Sequence, residues 1–143
     1  AGQMLNEDEI KNIEHTRAYG DNLGIAFQLI DDLLGIVGDP RETGKPVGSD
    51  LREGKMTLPI NIAIELADEG LRSKILQVHG RPSSDEVMKE VVEGIKSIGI
   101  EERVMEIAAK YVKNSIDAIK DLPESDSKRS LEEIAQYAIR RKK

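Results

Sequence analysis

Gly24-Ile25-Ala26-Phe27-Gln28-Leu29-Ile30-Asp31-Asp32-Leu33-Leu34-Gly35 sets two adjacent acids inside an apolar run. Apolar residues at Leu23, Phe27, Ile30 and Leu34 recur at steps of three and four, the period of a helix face. A carboxylate deep in such a helix is costly unless it is paired or sits on a metal. Gln28 stands three residues before Asp31 and four before Asp32, so it shares their face. Gly24 and Gly35 fall on the same stripe and leave room for a ligand. On spacing alone, a solvated acidic pair explains these residues as well as a ligand site does.

The stripe extends backwards through Ile13 and Ile10 to an N-terminus at Asn6 or Glu7. Asn6 can cap, and Glu7, Asp8 and Glu9 place carboxylates where the helix dipole favours them. Gly38-Asp39-Pro40 ends the helix. It is long for a globular helix, and each internal glycine, Gly20, Gly24 and Gly35, costs about 1 kcal/mol against Ala. Each therefore needs a packing reason or a ligand that comes close.

Residues 39–55 have no helical period and read as a loop, with Pro40, Gly44, Pro46 and Gly48 in its first part. Lys45 and Lys55 bracket Asp50 there. Carboxylates on a helix with lysines on an adjoining Gly-rich loop suit a Mg²⁺–diphosphate. Hard oxygen ligands take the metal, the metal bridges phosphate oxygens, and lysine supplies point charge to the others. Ordinary solvation of a surface loop is the competing explanation for both lysines.

Further along, a helix is expected over 56–67, apolar nearly all round and so buried. A short one follows over 71–78, ending at Gly80. Ser83 and Glu86 form a capping box for a helix reaching Ile98 and Gly99. Another covers 101–122, with Val104, Ile107, Ala108, Tyr111, Ser115 and Ile119 inward, and Pro123 breaks it. The last spans about 125–140, with Leu131, Ile134, Ala135 and Ala138 inward. About six helices result. No repeat or low-complexity tract interrupts them, and residues 1–143 read as one piece.

Composition agrees with an all-α helical bundle. Three Tyr, one Phe and no Trp argue against a β-sandwich. No apolar run approaches the ~18 residues of a membrane span. Leu, Ile and Val are too regular for disorder. With no Cys, disulfides, thiolate nucleophiles and Cys-based zinc sites are excluded, and His15 and His79 are too far apart in sequence to suggest a metal site. A net charge of −6 and a pI near 5.1 disfavour nucleic acid as a partner but leave room for a local basic pocket. The chain opens at Ala1 with no initiator Met and no signal-peptide pattern, which reads as a fragment of a cytoplasmic protein.

The block from 24 to 59 resembles the second aspartate-rich region of the trans-polyprenyl diphosphate synthases, a family that includes farnesyl and geranylgeranyl diphosphate synthases. The resemblance rests on Gly24 to Asp32, then Gly38-Asp39-Pro40, then Thr43-Gly44-Lys45-Pro46-Val47-Gly48-Ser49-Asp50-Leu51-Arg52-Glu53-Gly54-Lys55 and Thr57-Leu58-Pro59. Leu122-Pro123-Glu124-Ser125 is similar to the family's C-terminal end. The resemblance implies an all-α isoprenoid-synthase-type fold, of which this chain is the C-terminal half, and a homodimer. It implies condensation of isopentenyl diphosphate with an allylic diphosphate, assisted by Mg²⁺. Residue by residue, it makes Asp31 a Mg²⁺ ligand and Asp32 its partner through water or a lysine. Gln28 falls near the reacting carbons and the allylic diphosphate. Lys45 and Lys55 fall on that diphosphate, and Asp50 orients the lysines.

Two departures accompany the resemblance. Gly35 stands where the family's Asp-Asp-x-x-Asp motif has its last acid, although archaeal-type members also carry Gly there. The family's first aspartate-rich motif, its Lys-Thr pair and its isopentenyl-diphosphate arginines are absent. Ala1-Gly2-Gln3 looks like the helix that follows the Lys-Thr pair. The chain is therefore expected to have little activity alone. A different class of function, a non-catalytic helical subunit of a heteromeric synthase, is the alternative. The remaining expectations are plainer. His15 is a solvated helix residue, and His79 is a partner of a helix C-terminus. Tyr19, Tyr111 and Tyr137 anchor the core edge, and Met4, Met56, Met88 and Met105 fill the core. Arg140-Arg141-Lys142-Lys143 is a frayed tail, or less simply a screen over the cavity mouth.

Overall fold

The computed structural model describes residues 4–140. Ala1-Gly2-Gln3 and residues 141–143 of the basic run lie outside them. Among the described residues there are only helices and connections: α1 Glu7–Val37, α2 Pro40–Thr43, α3 Ser49–Arg52, α4 Leu58–Leu66, α5 Glu69–Val78, α6 Asp85–Ser97, α7 Ile100–Ala118 and α8 Asp126–Arg140. No helix among them is long and apolar enough to cross a membrane.

The all-α expectation holds, with two helical turns more than expected. Residues 39–55 are not an open loop but carry α2 and α3. Their sequence shows why. Asp39 caps α2 by accepting the Arg41 N–H at 2.8 Å, and Pro40 fits the first turn, where its missing N–H costs nothing. Gly44 (φ 67°) closes α2 and Gly48 (φ 66°) opens α3, both in the left-handed region. Four-residue helices show no apolar period, so periodicity cannot reveal them.

α1 begins in a reciprocal cap. Glu9 N–H donates to Asn6 Oδ1, and Asn6 N–H donates to Glu9 Oε2, each at 2.8 Å. At α6 the expected Ser83–Glu86 box does not form. Ser84 is the cap, accepting the Val87 N–H at 3.3 Å, while the Ser83 hydroxyl is buried without a hydrogen-bond partner. The frame is shifted by one residue because two serines precede the helix.

The chain divides into two compact units. The central one is Gln28–Glu106, and the described residues on either side form the other. In the central unit, Leu29, Ile30, Leu33 and Ile36 of α1 are buried, as are Leu51, Ile60, Ile75, Met88, Val91, Ile95 and Ile100. Each such side chain contributes about 1.5–3 kcal/mol of burial. α4 is not buried all round: Ile60, Ile62 and Ala63 are, but Leu58 and Leu66 are exposed. Of the methionines, Met88 is fully buried, while Met4 and Met56 are exposed.

In the flanking unit the core holds Tyr19, Leu23, Ala26, Ala108, Val112, Ile119, Ala135 and Ala138. Ile134, expected inward, is exposed. Tyr19 O–H donates to the Leu131 carbonyl at 2.8 Å, as an edge anchor does, but Tyr137 is exposed. His15 is not simply solvated, because its Nδ1 meets the Ala118 carbonyl at 2.8 Å, at the end of α7. Lys128 is buried, and its ammonium donates to the carbonyls of Lys120 (2.7 Å) and Leu122 (3.0 Å) and to Glu124. A lysine can be buried there because three acceptors replace its water.

Candidate functional site

The candidate residues all lie in the central unit. Asp31 is exposed and Asp32 half-buried, on the side of α1 away from Leu29, Ile30, Leu33 and Ile36. This corrects the expectation of acids deep in an apolar helix. The apolar period belongs to the opposite face, so burial exerts no pressure for a metal. Gln28 does share the acids' face: its Nε2 donates to Asp32 Oδ1 at 2.7 Å. That bond fixes the Asp32 rotamer and orients the amide oxygen of Gln28.

Gly35 follows Asp31 by one helical turn on the same face. A Cβ there would run into the carboxyl group of Asp50, with the Asp50 Cγ at 2.5 Å. The absent side chain of Gly35 is therefore the space that the Asp50 carboxyl fills. Ser49 Oγ also donates to the Gly35 carbonyl at 3.1 Å, which seats the start of α3 on α1.

Asp50 is buried, and its Oδ1 accepts from Lys55 Nζ at 3.2 Å. Lys55 Nζ also meets Glu53 Oε2 at 2.7 Å, and the lysine side chain is half exposed. Hydrogen bonds donated to Glu53 and then Asp50 hold the Lys55 pKa above its ordinary value, so the ammonium is charged at neutral pH. Glu53 is shifted down, first by its hydrogen bond to Lys55, with a smaller pull from the Lys45 charge. Lys45 is exposed and within electrostatic reach of this cluster, although no direct contact joins it to Asp50. The structure thus joins Asp50 to Lys55 and Gln28 to Asp32, and sets Asp50 against the helix of the acids.

Three contributors were not singled out from sequence: Glu53, Gly35 as the seat of Asp50, and His79. His79 does not act merely on its own helix end, because its ring Nε2 meets the Lys55 carbonyl at 3.0 Å. Arg52 ties the same segment to the start of α6 through Asp85 (2.7 Å), and its Nε donates to the Val47 carbonyl at 3.1 Å. The Arg-Glu-Gly-Lys spacing around a tight turn was the available signal for Glu53. Nothing in the sequence places residue 79 beside residue 55.

Among the described residues, no three His, Cys, Asp or Glu side chains converge closely enough to hold a metal by themselves. The donor chemistry still fits Mg²⁺, which takes one or two carboxylates and completes its shell with water and phosphate oxygens.

The fold and site define an all-helical class of protein with paired helix carboxylates beside a lysine turn. The polyprenyl synthetase family model matches residues 1–95, and the chain belongs to that family. It is 38% identical over 128 residues to a geranylgeranyl diphosphate synthase of Sulfolobus acidocaldarius, covering 87% of this chain and 38% of that protein. It is 35% identical over 142 residues to a short chain isoprenyl diphosphate synthase of Methanothermobacter thermautotrophicus, covering 99% of this chain and 43% of that one. A crystal structure of geranylgeranyl pyrophosphate synthase from Corynebacterium glutamicum, complexed with isoprenyl diphosphate and magnesium, superposes with a TM-score of 0.83 at 33% identity. That match covers 92% of this chain and 38% of the solved one. The chain therefore spans about two fifths of the length of these relatives.

Proposed function

We propose that this chain carries the allylic-diphosphate side of a trans-prenyltransferase, a polyprenyl diphosphate synthase that condenses isopentenyl diphosphate with an allylic diphosphate. The observation that carries this reading is the Asp50–Lys55 pair seated on Gly35, one turn from Asp31. It fixes a charged lysine beside the helix that holds the paired acids.

Asp31 and Asp32 would hold Mg²⁺, which when bound supplies positive charge to the leaving diphosphate. Lys55, and Lys45 on the same segment, neutralise diphosphate oxygens where charge develops as the C–O bond opens. Asp50 keeps the Lys55 ammonium charged and aimed. Gln28, tethered to Asp32, presents its amide oxygen near the allylic carbons, where a neutral dipole favours positive charge without trapping it. The enzyme works as a cytoplasmic homodimer, and residues 1–143 are one continuous piece of its catalytic domain. Turnover further requires protein that lies outside the matched two fifths of the relatives.

The test is calorimetric titration of the chain with geranyl diphosphate, with and without Mg²⁺, alongside incorporation of labelled isopentenyl diphosphate. Mg²⁺-dependent binding, lost in Asp31→Ala, with little label extended, is the expected result. Equal binding by Asp31→Ala would remove Asp31 from the site. Efficient extension by these residues alone would overturn the claim that more protein is needed. No binding at all would favour a non-catalytic partner subunit.

A further inference from the structure

We propose that His79, backed by Gly80, is a positioning residue for Lys55. The proposal rests on the reading of Lys55 as a diphosphate contact. α5 ends at Val78, and His79 leaves the helix with extended backbone (φ −63°, ψ 111°). That turn carries the ring to the Lys55 carbonyl, 3.0 Å from Nε2. A carbonyl only accepts, so the proton is on Nε2.

Gly80 acts on the same turn. Its N–H donates to the Leu51 carbonyl at 2.8 Å. A Cβ on Gly54 would stand 3.0 Å from the Gly80 Cα, and one on Gly80 would stand 3.2 Å from the Gly54 Cα. Both glycines have positive φ, 68° and 65°. Two main chains therefore touch here, in conformations that a side chain would strain.

The result is a lysine whose main chain is held on both sides of its Cα. Lys55 N–H donates to the Asp50 carbonyl at 3.0 Å, and the Lys55 carbonyl accepts from His79. Asp50 and Glu53 then hold the ammonium. A lysine side chain loses much rotamer freedom when it engages a ligand. A fixed main chain lowers the ordering that remains, so His79 raises diphosphate affinity without touching diphosphate. A residue that merely finished α5 would have no reason to reach residue 55.

The experiment compares the wild-type chain with His79→Leu and His79→Gln, the second of which keeps an amide donor. Three readouts are taken: Kd for inorganic diphosphate with Mg²⁺, amide hydrogen exchange at Lys55, and the global unfolding midpoint. His79→Leu should weaken diphosphate binding about fivefold, the effect of losing one ordinary hydrogen bond. Exchange at Lys55 should speed up by a similar factor, with exchange in α6 unchanged. His79→Gln should restore most of both. Unchanged binding and unchanged Lys55 exchange in a folded His79→Leu chain would overturn the positioning role alone. Should His79→Leu fail to fold, His79→Ala takes its place, and wild-type diphosphate binding and Lys55 exchange in that chain overturn the positioning role. Absence of diphosphate binding by the wild-type chain would overturn the reading of the site, and the positioning role with it.

Discussion

The carboxyl group of Asp50 lies over Gly35, in the volume that any side chain at position 35 would need. Gly24 is the opposite case on the same helix, where a Cβ would meet nothing within 4 Å. Ala in place of Gly gains about 1 kcal/mol of helix propensity at either position. At Gly35 the overlap with a buried carboxyl costs about 1–3 kcal/mol. Gly35→Ala should therefore lower stability and Gly24→Ala should raise it, as read by urea denaturation of the two variants. Equal gains would show that Asp50 moves aside freely.

Lys55 and Glu53 titrate as a linked pair. Glu53 is held below its ordinary value of 4.5, first by its hydrogen bond to Lys55. Removing the ammonium in Lys55→Met should move the Glu53 midpoint up towards 4.5, followed by carboxyl chemical shifts in NMR. A midpoint that does not move would mean the pair is open in solution.

Asp39 is held down at about 2 from an ordinary 3.8, first by the Arg41 side-chain hydrogen bond. Its folded value is the lower one, so the stability it contributes is present above 3.8 and disappears as pH falls through about 2. Arg41→Ala should raise the Asp39 midpoint and flatten the acid side of the stability profile between those limits. The measurement is thermal unfolding at stepped pH, for wild type and variant.

The two serines before α6 should separate cleanly. Ser84→Ala removes the cap on the Val87 N–H and should cost about 1 kcal/mol. Ser83 makes no such bond, and its buried hydroxyl has no hydrogen-bond partner, so Ser83→Ala should be neutral or slightly stabilising. Chemical denaturation of both chains decides it. A larger loss at Ser83 would restore the capping box that the sequence suggests.

Much of this architecture was legible in the residues. α1 carries its own period, its acidic first turn and its Gly-Asp-Pro stop, and it runs to Val37 as expected. Gln28, Asp31 and Asp32 were placed on one face by helical geometry, and the Gln28–Asp32 bond follows from that spacing. The local link from Lys55 to Asp50 was likewise within reach, five residues apart. Other features were not. The period of α1 shows where its apolar face lies but not whether the acids beside it are covered: Asp31 is exposed and Asp32 half-buried. α2 and α3 are set by positive-φ glycines at Gly44 and Gly48, too short to leave a pattern. His79 meets Lys55 across 24 residues, and Lys128 is buried by carbonyls that no side-chain pattern announces.

The enclosure of Lys128 also makes it an internal standard for chemistry performed on this chain. An amine-modifying reagent meets a half-exposed ammonium at Lys55 but a side chain only 6% exposed at Lys128. Acylation at Lys128 thus reports loss of the fold, while acylation at Lys55 in an intact chain reports occupancy of the turn. One digest carries both numbers, and their ratio distinguishes a ligand that shields Lys55 from a condition that merely unfolds the protein.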